Sequence, residues 1–199
     1  MGKAAIARPR NVICGLVLLC VVAVILAPLV YRQRAHHSLL HAAVAKSDVR
    51  TARVLLTLGF NVDSRDNWGI TPLHWAAKRN SSPMVKLLLD RGANVNAKSI
   101  KSQTPLHFAE TADVARMLLQ HGADPDIRTT SEGETPLMEA AYCGNESVAR
   151  VLLQYGAHPN LRGSGGATPL CIALERGNDN VAQLLRKHGG IARGLVCEP

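Results

Sequence analysis

The residues best able to do chemistry in this chain are its eight histidines and five cysteines. Such residues can build a zinc site, a disulfide framework or a nucleophile–base pair, and each has a spacing signature. None of those signatures fits. Cys14 and Cys20 lie inside an apolar run, and Cys143, Cys171 and Cys197 are scattered. The cysteines therefore read as small buried or surface thiols. His36 and His37 are neighbours and read as a solvated pair. His41, His74 and His107 recur at one constant interval, which marks them as structural. Gly163-Ser164-Gly165-Gly166 has the composition of a phosphate loop, but it neither follows a strand nor opens a helix, and it reads as a flexible turn. No nucleophile motif is present. The expectation is a chain with no catalytic residues, no cofactor and no metal.

The histidine interval belongs to a larger pattern. Thr71-Pro72-Leu73-His74-Trp75-Ala76-Ala77 returns as Thr104-Pro105-Leu106-His107-Phe108-Ala109-Glu110, as Thr135-Pro136-Leu137-Met138-Glu139-Ala140-Ala141, and as Thr168-Pro169-Leu170-Cys171-Ile172-Ala173-Leu174. The step from Thr71 to Thr104 equals that from Thr135 to Thr168, and the middle step is two positions shorter. A weaker copy, Ser38-Leu39-Leu40-His41-Ala42-Ala43-Val44, sits one full step upstream of Thr71. A period of this length marks a stacked solenoid. The motif resembles the ankyrin repeat, with copies in register from Ser38 to Gly190. The resemblance implies an all-α solenoid of helix pairs with β-turn fingers. It also implies hydrogen bonds from the motif's Thr and His within and between repeats.

The residues support the same elements on their own. Thr71 is a good N-cap, and Pro72 at the first helical position loses no bond. Leu73 faces the core, and Ala76 and Ala77 allow close helix approach. The second helix of each unit carries an apolar run: Val54-Leu55-Leu56, Leu87-Leu88-Leu89, Met117-Leu118-Leu119 and Val151-Leu152-Leu153. Gly59, Gly92, Gly122 and Gly156 each follow three positions after the last leucine and suit a left-handed cap. In the fifth copy Leu184-Leu185-Arg186 puts a charge where the third leucine stood, which fits an end of the stack. Two irregularities stand out. From Thr104 to Gly122 the third repeat is three positions shorter than its neighbours, which run from Thr71 to Gly92 and from Thr135 to Gly156. A missing turn should therefore shorten the first helix or its connection near Glu110-Thr111-Ala112-Asp113. The next finger gains a residue at Thr129-Thr130-Ser131-Glu132.

The resemblance places partner contacts on the finger tips and the exposed side of the first helices. The candidate contact residues there include Trp68, Ile70, Lys78, Arg79, Lys101, Tyr142 and Arg176. Trp68, at the tip of Asp66-Asn67-Trp68-Gly69, either anchors an interface or folds back on its own finger or toward the membrane. Trp75 and Phe108 read as core. A basic ladder, Arg65, Lys98, Arg128 and Arg162, recurs six positions after each repeat glycine and faces either an acidic partner or nearby acids such as Asp63, Asp66 and Asp126. A second ladder, Arg53, Lys86, Arg116 and Arg150, reads as a solvated outer helix face.

Val12 to Tyr31 is an unbroken stretch without a charge, long enough to cross a bilayer as a helix. The expected organisation is a basic tail (1–11), a transmembrane signal anchor (12–31), a linker (32–37), the repeat domain (38–190) and a loosely ordered tail (191–199). Ala27-Pro28 and Arg32 disfavour signal cleavage around the run. Five of the net +8 charges fall in residues 1–34, so the rest of the chain is only +3 and lacks a nucleic-acid footprint. Charges on the two sides of the run are nearly balanced, which leaves open the side on which the repeats lie. Asn80-Ser81-Ser82 and Asn145-Glu146-Ser147 match the glycosylation pattern but are short enough to arise by chance. The functional expectation is a single-pass membrane-anchored adaptor that binds a protein. The alternative is lipid or polyanion recognition through the basic ladder. Neither partner identity nor oligomeric state is written in the sequence.

Overall fold

The computed structural model describes residues 39–194. All regular structure among them is helical, and no strand forms. The elements come in pairs. Helix α1 (39–45) precedes α2 (Val49–Thr57), and α3 (Pro72–Lys78) precedes α4 (Ser82–Asp90). A short 3-10 turn (Pro105–Phe108) precedes α5 (Ala112–Gln120). Then come α6 (Pro136–Cys143) with α7 (Glu146–Gln154), and α8 (Pro169–Glu175) with α9 (Asp179–Lys187). The expected transmembrane segment 12–31 lies outside the described residues. Among those described, no helix is long and apolar enough to cross a membrane.

Local chemistry fixes where each pair starts. Thr71, Thr104, Thr135 and Thr168 are all extended N-caps with proline at the next position. Thr135 and Thr168 accept from the backbone of Met138 and Cys171. At Thr71 and Thr104 the cap is reciprocal, because His74 and His107 reach back to the cap residue. The turn between the paired helices needs a left-handed residue nine positions into the motif. Asn80, at φ 51°, and Gly144, at φ 69°, supply it. A side chain on Gly144 would also strike Asn178, whose Oδ1 would stand 2.6 Å from the new Cβ.

Packing runs along the stack. Leu73, Ala76 and Ala77 are fully buried, and α6 packs on α8 as α3 packs on the 3-10 turn. The outer helices bury Val85, Leu88, Leu118, Leu152 and Leu185. Each fully buried leucine is worth about 1.5–3 kcal/mol of transfer free energy. Leu39 in α1, Val54 in α2 and Leu58, which caps α2, are exposed in the first described pair.

The third pair shows where the shorter count falls. Its first element has 4 residues where α3 has 7, while α5 and α4 both have 9. The whole difference comes out of the inner helix: Ala109 turns extended instead of continuing it.

Two readings need correction. Cys171 is buried and disulfide-bonded, so it is not a simple buried thiol. Cys143 is a free, exposed thiol. The chain after α9 is also docked, as far as it is described. Ile191 N donates to Asn160 Oδ1 at 2.8 Å, Thr168 N donates to Arg193 O at 2.9 Å, and Thr168 Oγ1 donates to Ile191 O at 2.6 Å. The reason is a ladder that recurs up the stack. Asn94 N donates to Asp63, Asp124 N to Asn96, and His158 N to Asp126. Asn160 and Ile191 form the next rung, so residues after Gly189 follow the path of a further finger.

Candidate partner-binding face

The fingers are tight turns closed by their own polar side chains. Asp66 Oδ1 accepts from Trp68 N and Ile70 N at 2.8 and 2.9 Å. Ser99 Oγ does the same for Lys101 N and Gln103 N. In the longer third finger Thr129 Oγ1 accepts from Glu134 N. Successive fingers are joined by single backbone bonds: Ile100 N to Trp68 O at 3.0 Å, Thr130 N to Lys101 O at 3.0 Å, and Ser164 N to Glu132 O at 2.6 Å. Gly69 is required at the first joint. Its φ is +70°, and a Cβ there would stand 3.1 Å from Ile100 N. The finger row is thereby fixed before any partner arrives.

This geometry places Trp68 in solvent, 66% exposed, next to Ile100 at 60%. Trp68 is therefore not folded back on its own finger. Ile70 is half-buried, and its carbonyl accepts from His41 Nε2 at 3.0 Å. Lys101 is an exposed tip residue. Lys78 and Arg79 end α3, both exposed, and Lys78 Nζ lies 5.7 Å from the centre of the Trp75 ring. Trp75 and Phe108 are half-buried and pack against the core. Tyr142 on α6 is exposed, and Arg176, which caps α8, lies over its ring at 3.6 Å. That distance is well within reach of a cation–π contact.

The basic ladder is less uniform than its spacing suggests. Arg65, Lys98, Arg128 and Arg162 are all exposed. Arg128, however, is drawn into its finger, donating to Gly133 O at 3.1 Å and to Arg162 O. The neighbouring acids are occupied elsewhere: Asp63 and Asp66 by backbone N–H groups, and Asp126 by the backbone and ring of His158. The His158 imidazole is raised in pKa chiefly by that hydrogen bond to Asp126. On the outer face, Arg116 pairs with Asp113 and Arg150 with Glu146 along their own helices.

The motif histidines join the repeats. Thr71 N donates to His74 Nδ1, which makes Nδ1 the acceptor and puts the ring proton on Nε2. Nε2 then donates to Gln103 O at 3.0 Å. His107 repeats the arrangement toward Glu134 O at 3.3 Å. Burial pushes His74 down to about 4 and lowers His107 as well, so both are neutral at pH 7. Among the described residues no group of His, Cys, Asp and Glu is placed to hold a metal ion.

Sequence reasoning missed one feature of this face. Where the inner helix is cut short, a cavity of about 240 Å³ opens between α3 and α6. Its lining includes Leu106, Phe108, Glu110, Pro136, Glu139 and Cys143. The shortened count of the third repeat was the only signal for it. Asn80 and Asn145, the two glycosylation-pattern asparagines, are used structurally here: both amides donate to Glu110, at 3.1 and 2.6 Å.

The sequence profile for ankyrin repeats in three copies matches overlapping stretches, residues 22–99, 39–129, 94–163 and 112–193. With the paired helices, the finger ladder and the Thr–His links, this chain belongs to the ankyrin-repeat family. No curated protein matches it closely enough to narrow that class further.

Proposed function

We propose that this chain is a membrane-tethered, non-catalytic adaptor of five ankyrin repeats spanning 38–190, which binds a protein through its finger tips and inner helices. The observation that carries the reading is the exposed Trp68–Ile100 pair, held on adjacent fingers whose backbones are bonded to each other. A rigid surface loses little ordering entropy on binding, and an exposed Trp beside an aliphatic residue has the character of an interface anchor. Tyr142 under Arg176 extends the same face. In the alternative, lipid or polyanion capture, Arg65, Lys98, Arg128 and Arg162 act as a row. The diversion of Arg128 into its own finger counts against it.

The tether is the apolar run 12–31. Disulfides persist in oxidising compartments, so a disulfide at Cys171 is expected to last in cells only where the repeats lie on the far side of the membrane. An anchor would raise the effective concentration of the repeats toward partners at the same membrane.

The test is to isolate the bound partner and measure its affinity for the wild-type chain and for Trp68→Ala over a salt series. The adaptor reading predicts a loss of about tenfold or more in Trp68→Ala and a shallow salt slope. A steep salt slope with no effect of Trp68→Ala would favour the polyanion reading.

A further inference from the structure

The cavity left by the missing helical turn lies between α3 and α6. We infer that it is a specificity pocket for a single lysine or arginine side chain of the protein partner. This inference rests on the adaptor reading and adds the chemistry of what is bound.

The lining carries the argument. Leu106, Phe108, Pro136 and Ala140 give the cavity apolar walls, and Glu110 and Glu139 stand in it as carboxylates. Glu110 is clamped in place from both neighbouring turns. Its N–H donates to Asn80 Oδ1 at 3.2 Å, Asn80 Nδ2 donates to its carboxylate, and Asn145 Nδ2 donates to its carbonyl. Glu139 is half-buried and forms no ion pair with a cation among the described residues; its carboxylate accepts from Cys143 Sγ at 3.7 Å. Burial raises its pKa. Lys78 also lines the cavity, but its ammonium sits at the Trp75 ring. Arg176, the next cation along the face, is stacked on Tyr142.

Three kinds of side chain can be compared as occupants. An acidic one would meet Glu110 and Glu139 as like charges. An apolar one would fill the space but deepen the desolvation of Glu139 without pairing it. A lysine or arginine covers the apolar walls with its methylene stem and brings its charge to the carboxylates. Only the third satisfies both halves of the lining. The pocket follows this chain's own deletion: the inner element of the third pair has 4 residues where that of the second pair has 7.

The probe is a library of random linear peptides displayed on phage and selected against the full chain in detergent micelles. The expected binders carry one lysine or arginine whose change to norleucine weakens binding by about tenfold or more. Glu139→Gln is expected to cost the same, and the two losses should not add. A charge swap, Glu139→Lys with glutamate in the peptide, should restore binding, which a merely unfolded variant could not do. Binders that ignore Glu139→Gln and have no basic anchor, but are lost with Trp68→Ala, would overturn the pocket and leave the adaptor reading standing. Failure to select any peptide sensitive to Trp68, Tyr142 or Glu139 would count against both.

Discussion

His74 reaches across a repeat boundary: its Nε2 donates to the Gln103 carbonyl at 3.0 Å while its Nδ1 accepts from Thr71 N. One neutral imidazole thus caps its own helix and holds the next finger. Because protonation would turn the Nδ1 acceptor into a donor, the joint depends on pH.

The sign follows from where the proton binds. His74 falls from the usual 6.5 to about 4 on folding, so between those values the unfolded chain takes up the proton first. Its contribution is complete above pH 6.5 and is lost as pH falls toward 4. For a residue this buried the loss is about 3 kcal/mol. Comparing chemical unfolding of the wild type and His74→Met across this window isolates the effect. The wild type should lose more stability on acidification than the variant, whose residue matches Met138 in a later repeat. Equal pH slopes would contradict the assignment.

Gly69 should tolerate no side chain. Gly69→Ala forces an alanine to φ +70° and sets its Cβ against Ile100 N. We expect a loss greater than the about 1–2 kcal/mol that the left-handed conformation alone costs, read as a lower midpoint in urea. Gly92→Ala, with no neighbour within 4 Å of the new Cβ, should show only the conformational part.

Asn160 closes the stack. Its Oδ1 accepts from Ile191 N, and its Nδ2 donates to Gly189 O at 2.9 Å. Asn160→Ala should cost about 1–2 kcal/mol for the two bonds and speed hydrogen exchange at Ile191 and Arg193. Unchanged exchange there would mean that the segment is held by other contacts.

Much of this was legible because the sequence repeats. Thr71 and Pro72 announced a helix start, the family resemblance implied the bonds that His74 and His107 make between repeats, and Trp68 was marked by its place in a polar turn. The cavity was half legible. The short count of the third repeat placed the irregularity, but not that the inner helix alone would absorb it, nor that Glu139 would line the gap. The docked residues 191–194 escaped because the segment lacks the motif. Only the recurrence of Asp63, Asn96, Asp126 and Asn160 shows that Ile191 occupies a repeat position. The diversion of Arg128 escaped for the opposite reason, since its spacing matched the ladder while its guanidinium found nearer carbonyls.

Cys143 gives a handle on the side of the membrane. It is exposed and free, with its thiol pushed up by burial and by Glu139, so labelling should be slow but complete at mildly alkaline pH. A membrane-impermeant maleimide should reach it in intact cells if the repeats lie outside. Labelling only after lysis would put them inside. Non-reducing peptide mapping should recover Cys171 in a disulfide, and a free Cys171 would remove the support for an oxidising compartment.

The most direct test of the central claim is site-specific photo-crosslinking in living cells. A photoreactive residue would replace Ile100 on the finger row or Arg116 on the outer helix, in the full chain. The account predicts a discrete protein adduct from position 100, diminished by Trp68→Ala, and none from position 116. Adducts from 116 but not from 100 would mean that the partner sits on the outer helices and that the finger-tip reading is wrong.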